Sequence, residues 1–375
     1  MSLKSSARRL ALVAVPVVLA AALAACSSGG SSGGSTSTAT ADSATLAKVQ
    51  ADVQTLMKPP TDIGVSEPLK ALPTGKTLLF MECDTPICVA TTPVYAQAAQ
   101  ALGMKFSSIH VGSAPNEVAS AFDQAVAARP DALISGAIAP ELFQSQLQQL
   151  VSNGTKVVLY ATTDPGISGL TAVVFPESVF TTLGGNMANL IYADSNGAPG
   201  EVLYVNTPEL PALLATTQGF KDRMAELCSD CTVSTLDINL NEIGTGVGPK
   251  VVSYLQSHPN VKYVVTQFGD LEVGVPQAVQ ASGIKDVKLI SANGSNVNFQ
   301  YVADGTSYAD IVNFLDVTFW QTIDIVARAL ADQSFTVPPV PTQILTKQNL
   351  TFDPSQPAPF GSDYVAEFKK LWGVS

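Results

Sequence analysis

The stretch KTLLFMECDTPICVATTPVYAQAAQALG, residues 76–103, decides the fold of this chain. Residues 77–81 lack polar alternate positions, as expected of a strand buried on both faces of a parallel sheet. The second half has apolar residues at helical spacing and ends on Gly103, where a helix C-terminus favours a residue free to take positive φ. The stretch therefore predicts a strand, a loop and a helix. The loop at 82–86 follows the carboxyl end of the strand, where open α/β sheets bind ligands.

The same alternation of strand and helix patterns continues along the chain. Strands are predicted at 106–110, 132–135, 157–160 and 171–175, then at 201–205, 232–238, 263–266, 287–291, 307–312 and 343–345. Strands separated by helices at this interval indicate βαβ units and parallel sheets. Because 375 residues exceed the usual single domain, we predict an α/β protein with two doubly wound parallel-sheet lobes.

Composition and missing motifs exclude several function classes. The chain has a formal charge of -11, which disfavours nucleic acid as a partner. It contains neither G-x-G-x-x-G nor a phosphate-binding P-loop motif, and no G-x-S-x-G nucleophile elbow follows a predicted strand, since that pattern occurs only in the Ser/Gly tract at 29–34. It has only two histidines, His110 and His258, so a histidine metal cluster is not expected. We predict a protein that is not an enzyme and has no cofactor and no metal.

The N-terminus reads as an export signal. A basic region precedes an apolar run over residues 10–25, which is short for a membrane span and interrupted by Pro16. Residues 23–26, LAAC, resemble the bacterial lipobox, whose cysteine becomes lipid-modified, and the Ser/Gly/Thr tract at 27–40 is typical of a flexible tether. An ordinary signal peptide is the alternative. We predict an extracytoplasmic protein anchored through Cys26 to the outer face of the cell membrane.

The remaining four cysteines form an even set, as in an oxidising compartment. The local pairings Cys83 with Cys88 and Cys228 with Cys231 are predicted as disulfides. The C-x-x-C spacing of the second pair also occurs in redox enzymes, but catalytic thiols of that kind lie at a helix N-terminus. Cys228 and Cys231 instead follow a predicted helix and precede a predicted strand.

Five short motifs accompany the predicted elements: LGGNMA at 183–188, TQGF at 217–220, DLEVG at 270–274, ISANGS at 290–295 and ADIVN at 309–313. With these motifs, the order of elements over residues 76–346 resembles the type I periplasmic binding proteins, the ribose-binding and LacI-like family. The resemblance implies two lobes joined by three hinge crossovers, near Phe175, Asn313 and Pro341, that close on a ligand. It also implies delivery of that ligand to an ABC permease in the membrane, and we expect a monomer.

These inferences give a predicted domain organisation. The parts are a signal peptide at 1–25, a tether at 26–43, a lead-in helix and linker at 44–75, a first lobe at 76–174 plus 314–340, and a second lobe at 175–313 plus 341–375.

Polar and aromatic residues that follow the predicted strands are the candidate ligand contacts. They are Glu82, Asp84, Thr85, His110, Tyr160, Asn206, Glu209, Phe268, Asp270, Asn293 and Asn313. For the acidic residues the alternative role is a helix cap or a turn, and for the aromatic residues it is ordinary core.

The ribose-binding pattern is not kept at the ligand positions. Residues 85–88, TPIC, stand where the family has Asn-Pro-Phe-Phe, and Tyr160-Ala161 replaces an Asp-Arg pair. Lysines stand instead at the amino ends of strands, away from the predicted cleft, at positions 76, 105, 156, 262 and 288. We therefore predict a neutral or cationic ligand, small and sugar-like or partly apolar.

Two other functions stay open: a sensor that docks on a membrane receptor or kinase, and an exported enzyme.

Overall fold

The computed structural model describes residues 42–84, 86–210 and 213–375, with backbone alone at 86–87. Cys26 and Thr85 lie outside the described residues. The strands are β1 (Thr77–Cys83), β2 (Lys105–Val111), β3 (Ala132–Gly136), β4 (Lys156–Tyr160), β5 (Ala172–Val174), β6 (Glu201–Asn206), β7 (Thr232–Asp237), β8 (Val261–Thr266), β9 (Lys288–Ala292), β10 (Ala309–Asn313) and β11 (Thr342–Thr346). The helices are α1 (Ser43–Leu56), α2 (Pro86–Ala101), α3 (Pro115–Ala128), α4 (Gln144–Ser152), α5 (Glu177–Asp194), α6 (Leu214–Leu227), α7 (Val247–Ser257), α8 (Val275–Ser282), α9 (Asn296–Asp304), α10 (Leu315–Leu330) and α11 (Tyr364–Trp372).

The strands form two sheets. The first has the order β2-β1-β3-β4-β5 and the second the order β11-β10-β9-β8-β6-β7. All pairs are parallel except β10 with β11. The predicted fold class, two doubly wound lobes, is confirmed.

The strand β1 shows why its sequence is apolar at consecutive positions. Leu78 and Phe80 join the core beneath α2 and α10, whereas Leu79 and Met81 join the core on the other face of the sheet, beneath α3 and α4. A strand covered on both faces has no solvent side for polar residues.

Three crossovers join the lobes at the ends of strands. The chain leaves the first sheet after β5 at Phe175, returns to the first lobe after β10 at Phe314, and reaches β11 through Pro341. The second and third crossovers lie side by side, because the Phe314 N–H donates to the Pro341 carbonyl at 2.9 Å.

The two terminal helices pack on different lobes. Val49 and Val53 of α1 are buried in the second lobe. The prediction that residues 341–375 belong entirely to the second lobe is wrong for α11. Its apolar face, with Phe368 and Trp372, is buried against α10 in the first lobe, where the Trp372 ring stacks on Trp320 at 5.3 Å.

Two further segments connect the lobes beside the three crossovers. Residues 58–63 lead from α1 to the first lobe, and residues 353–363 lead from the second lobe to α11. They are bonded to each other: the Gly361 N–H donates to the Pro60 carbonyl at 2.9 Å, and the Ser362 hydroxyl donates to the Thr61 carbonyl at 3.1 Å. We call this pair of segments the clasp.

Both predicted disulfides are present. Cys83–Cys88 joins the end of β1 to the first turn of α2, and Cys228–Cys231 follows α6. Among the described residues, none of the helices combines the length and apolar composition that crossing a bilayer requires.

Candidate ligand site between the lobes

A cavity of about 280 Å³ lies where the two lobes and the hinge meet. Its lining residues are Ala90, Thr91, Gly294, Ser295, Asn296, Phe299, Val312, Asn313, Phe314, Leu315, Asp316, Val317, Phe319, Pro357, Ala358, Phe360 and Tyr364. Most are apolar, and Asp316 is the one charged residue among these lining residues. A concave, mostly apolar site with a few polar groups is the usual form of a small-molecule site.

Asn313 is the polar group at the hinge side of this cavity. It ends β10, is 6% exposed, and its Oδ1 accepts a hydrogen bond from the Thr342 hydroxyl at 2.7 Å. Its Nδ2 has no hydrogen-bond partner within the described part of the chain. An unpaired buried donor costs about 1 to 3 kcal/mol, so the amide is set to donate to an acceptor atom that a ligand brings.

Asp316 lies three residues further along the chain, in the first turn of α10. Loss of surrounding water raises the pKa of its carboxyl group. The same effect, with the nearby Asp316 carboxylate as a second cause, raises the pKa of Tyr364 to about 12. The Asp316 carboxyl group beside the cavity favours a ligand that brings a hydroxyl or amine donor.

Residues with left-handed backbone follow four strands at the carboxyl edges. They are Ala137, Ala161, Phe175 and Asn293, with φ between 49° and 55°. Positive φ is unfavourable for residues other than glycine, and such strain is concentrated at functional sites. At Asn293 the turn directs the side chain back to β10, where its Oδ1 accepts from the Asn313 N–H at 3.1 Å.

The side-chain amide of Asn206 is hydrogen-bonded to other residues of the second lobe. Its Oδ1 accepts from the Thr217 hydroxyl at 2.8 Å and from Gln267 Nε2 at 3.0 Å, and its Nδ2 donates to Asp237 at 2.8 Å. Gln267, which follows β8, was not among the predicted residues although it is 1% exposed. This network fixes the loops after β6 and β8.

A second buried network joins the loops after β8 and β9. Asn298 Nδ2 donates to the Gly269 carbonyl and to Glu272, at 2.9 Å each, and the Ser307 hydroxyl donates to Glu272 at 2.6 Å. Asp310 accepts from the Gly294 N–H at 3.2 Å, next to Asn293. Burial raises the pKa of Glu272 to about 7 and that of Asp310 to about 6.

We expect Glu272 to make the protein less stable as pH rises. Its pKa is 4.5 when unperturbed and about 7 when folded, so between these values the folded state holds the proton more tightly than the unfolded state. The stabilisation is complete below pH 4.5 and is lost as pH approaches 7. Glu272→Gln replaces the carboxyl group with a neutral group of similar shape. Urea denaturation should then show that the free energy of unfolding falls less between pH 5 and 8 in this variant than in the wild type, by roughly 1 to 3 kcal/mol. The exposed Glu141→Gln is the control, and an identical slope in Glu272→Gln and wild type would refute the assignment.

Glu82, Asp84 and His110 come together, but away from the cavity. His110 Nδ1 lies 3.4 Å from Glu82 and its Nε2 lies 3.3 Å from Asp84, while Thr92 donates to Glu82 and Ser113 to Asp84. Asp84 and His110 line a separate depression of about 480 Å³ at the β2 edge of the first sheet. These residues bind one another at the sheet edge, and they do not line the inter-lobe cavity.

The other predicted residues divide between core and surface. Tyr160 packs between Phe175 and Phe319, with ring centroids 5.5 and 5.3 Å away, and Phe319 lines the cavity. Phe268 is half-buried against the core of the second lobe. Glu209 is exposed and accepts from the Leu240 N–H of a distant loop at 3.1 Å, and Asp270 is exposed.

A larger cavity, of about 780 Å³, lies at the amino edge of the second sheet beneath α1. Its central carboxylate, Asp194, accepts from Lys288 at 2.6 Å, from Tyr263 at 2.6 Å and from Tyr308 at 2.7 Å. These bonds pair Asp194 with Lys288, and Lys347 donates to the Asp304 carbonyl at 3.3 Å. The cavity lies at the amino ends of the parallel strands, whereas open α/β sheets bind ligands at the carboxyl ends.

Comparisons with known proteins agree with this geometry. A family model described as "Periplasmic binding protein domain" matches residues 88–334. Among solved structures, a glucose-galactose binding protein, GanP, from Geobacillus stearothermophilus is 16% identical with a TM-score of 0.61, covering 74% of this chain and 99% of that chain. A periplasmic ribose ABC transporter protein from Conexibacter woesei is 17% identical with a TM-score of 0.64, covering 75% and 94%. A solute binding protein from Agrobacterium vitis with bound allitol is 18% identical with a TM-score of 0.60, covering 75% and 98%. No curated protein matches the chain significantly.

Proposed function

This chain belongs to the periplasmic binding protein domain family, and from that premise we propose that it captures a small ligand between its lobes and delivers it to an ABC importer. The observation that carries the proposal is Asn313, which lines a cavity built from both lobes and whose buried Nδ2 lacks a partner among the described residues. A ligand in this cavity contacts residues of both lobes. Binding therefore favours the closed arrangement of the lobes.

The proposed ligand is neutral or cationic, sugar-like or partly apolar. No lysine or arginine is among the described residues that line the cavity. Lys288 and Lys76 are instead paired with acids at the amino edges of the sheets, at 2.6 and 2.8 Å, and Lys250 is paired with Glu242. An anion would lack a cationic partner among the lining residues and would face the like charge of Asp316, which is unfavourable. The sugar-binding structures of the same fold support the sugar-like alternative by analogy alone.

Replacing Asn313 with leucine is expected to weaken ligand binding at least about tenfold, because a ligand acceptor then loses its donor inside an apolar site. The ligand is recovered by native mass spectrometry of protein purified from its own host, and its affinity is measured by calorimetry. Small-angle scattering should show a smaller radius of gyration when this ligand is added to the wild type. Asn189→Leu is the control, since Asn189 lies on α5 and bonds Arg223 outside the cavity. Equal affinities of both variants, or tight binding without compaction, would contradict capture between the lobes.

We also propose that the protein is anchored by lipid on Cys26 at the outer face of the cell membrane. The support is the LAAC sequence at 23–26 and the Ser/Gly/Thr tract that follows it. Cys26→Ala is expected to move nearly all of the protein from the membrane fraction to the soluble fraction or medium, as measured by fractionation and immunoblotting. Cys26→Ser should do the same, and retention of either variant in the membrane would refute the anchor.

A further inference from the structure

One wall of the inter-lobe cavity comes from outside the part of the chain that matches the family. Pro357, Ala358, Phe360 and Tyr364 line the cavity, whereas the family match ends at residue 334. These four residues belong to the clasp segment 353–363 and to the first residue of α11. The cavity therefore has a wall that the family match does not account for.

The wall is held rigidly. The Phe360 ring lies 5.4 Å from the Phe314 ring and 6.0 Å from the Tyr364 ring, both near-perpendicular. The next residue, Gly361, is bonded to Pro60, and a Cβ at Gly361 would lie 2.8 Å from the Pro60 carbonyl oxygen. The close contact across the clasp thus fixes where Phe360 points.

Polar side chains are a minority of the cavity lining. The Ser295 hydroxyl bonds Asn298 at 3.4 Å, and Asn296 Nδ2 bonds the Ser355 carbonyl at 2.6 Å. The other polar side chains of the lining are Thr91, Asn313, Asp316 and Tyr364, and the rest of the lining is apolar. A sugar carries a hydroxyl on most ring carbons, and each hydroxyl buried without a partner is unfavourable. A mostly apolar lining therefore matches a molecule with few polar atoms better than it matches a sugar.

We infer that the ligand has an apolar, ring-sized body with few polar atoms, and that Phe360 is a specificity-determining residue contributed by the clasp. This inference rests on the proposed function and narrows its ligand class. The aromatic wall of Phe314, Phe319 and Phe360 covers the apolar body, and the polar side chains of the lining, Asn313 and Asp316 among them, orient it.

The test is a thermal-shift and calorimetry panel on the full chain. Benzyl alcohol, tyramine and cyclohexanol are the apolar-bodied probes; D-ribose, D-galactose and allitol are the polyhydroxylated probes; succinate and glucose 6-phosphate are the anionic ones. We expect the largest shift from an apolar-bodied probe. Phe360→Ser should weaken that probe about tenfold, while Phe360→Leu, which keeps an apolar wall, should recover most of the affinity.

Phe335→Ser is the matched control. Phe335, like Phe360, is a half-buried phenylalanine packed on the first-lobe core beyond residue 334, but it does not line the cavity. We expect it to bind the probe as the wild type does, even if its melting temperature falls by as much as that of Phe360→Ser. A loss of probe affinity in Phe360→Ser but not in Phe335→Ser therefore shows that Phe360 has a binding role and not only a structural one.

The outcomes distinguish this inference from the proposed function. A sugar or anion as the best probe, no shift with any apolar-bodied probe, or equal weakening by Phe335→Ser and Phe360→Ser would overturn the inference. In each of those cases the Asn313→Leu and scattering results still decide whether a ligand is captured between the lobes. If the host-derived ligand binds independently of Asn313 and without compaction, both proposals fall.

Discussion

Gly184→Ala is expected to destabilise the second lobe by about 3 kcal/mol, at the upper end of the usual cost of overpacking, because its new methyl group has no space. A Cβ at Gly184 would lie 2.0 Å from the Thr216 carbonyl oxygen, and a Cβ at Gly219 would lie 2.2 Å from the Thr181 carbonyl oxygen. Helices α5 and α6 thus approach backbone to backbone through a glycine on each side. Backbone atoms cannot move aside as a flexible side chain can, so the helices must separate. Urea denaturation followed by circular dichroism measures the loss.

The neighbouring Gly185 provides a matched control in the same helix. A Cβ there would meet its nearest atom, Arg223 Cγ, at 3.9 Å, which is ordinary contact. Because alanine is favoured over glycine inside a helix, Gly185→Ala should stabilise the protein by about 0.5 to 1 kcal/mol. The two substitutions are therefore expected to have opposite signs, and effects of the same sign and size would show that the helices do not meet as described.

Asp324→Ala is expected to cost about 3 to 5 kcal/mol, since it leaves a buried guanidinium without its counter-charge. Asp324 and Arg328 are 2% and 3% exposed and are joined at 2.6 Å. The other carboxylate oxygen of Asp324 accepts from Trp372 Nε1 at 2.8 Å, and Arg328 also donates to the Glu67 carbonyl at 2.6 Å. One carboxylate thus connects α10 to α11 and, through Arg328, to the linker before β1. Thermal and urea unfolding should both show the loss.

The exposed pair Lys48–Asp52 on α1 is the control for this prediction. It has the same four-residue spacing and a 2.7 Å contact, but both side chains are largely in water. Asp52→Ala should therefore change stability by no more than about 0.5 kcal/mol. Asp324→Leu combined with Arg328→Met should recover much of the loss because no unpaired charge remains. If the double variant were no more stable than Asp324→Ala, packing rather than charge would explain the cost.

The fold could be predicted from the sequence because each strand carries its own signal. Residues 77–81 are apolar at adjacent positions since both faces of β1 are covered, and the glycines of LGGNMA and TQGF stand where α5 meets α6. Placement of α11 could not be predicted in this way. Its pattern shows an apolar face but not the surface that covers it, and α10 lies on the first lobe.

The site was less predictable, because its residues are brought together by the hinge. Asn313 was predicted and does line the cavity, whereas Asp316 and Phe360 have no strand-end signal of their own. Glu82 and His110 were predicted from their position at strand ends, but they pair with each other and with Asp84 beside the edge strand β2 and do not line the cavity. The pattern of a strand does not reveal which partners its end meets in the folded protein.

The docking of α1 on the second lobe and of α11 on the first has a practical consequence. A donor and an acceptor fluorophore attached to the exposed faces of these two helices would each travel with a different lobe. Under the proposed closure of the lobes, their energy-transfer efficiency would then follow the angle between the lobes in real time. The chain already has the arrangement of a genetically encodable ligand sensor, with its reporting positions built on the two terminal helices.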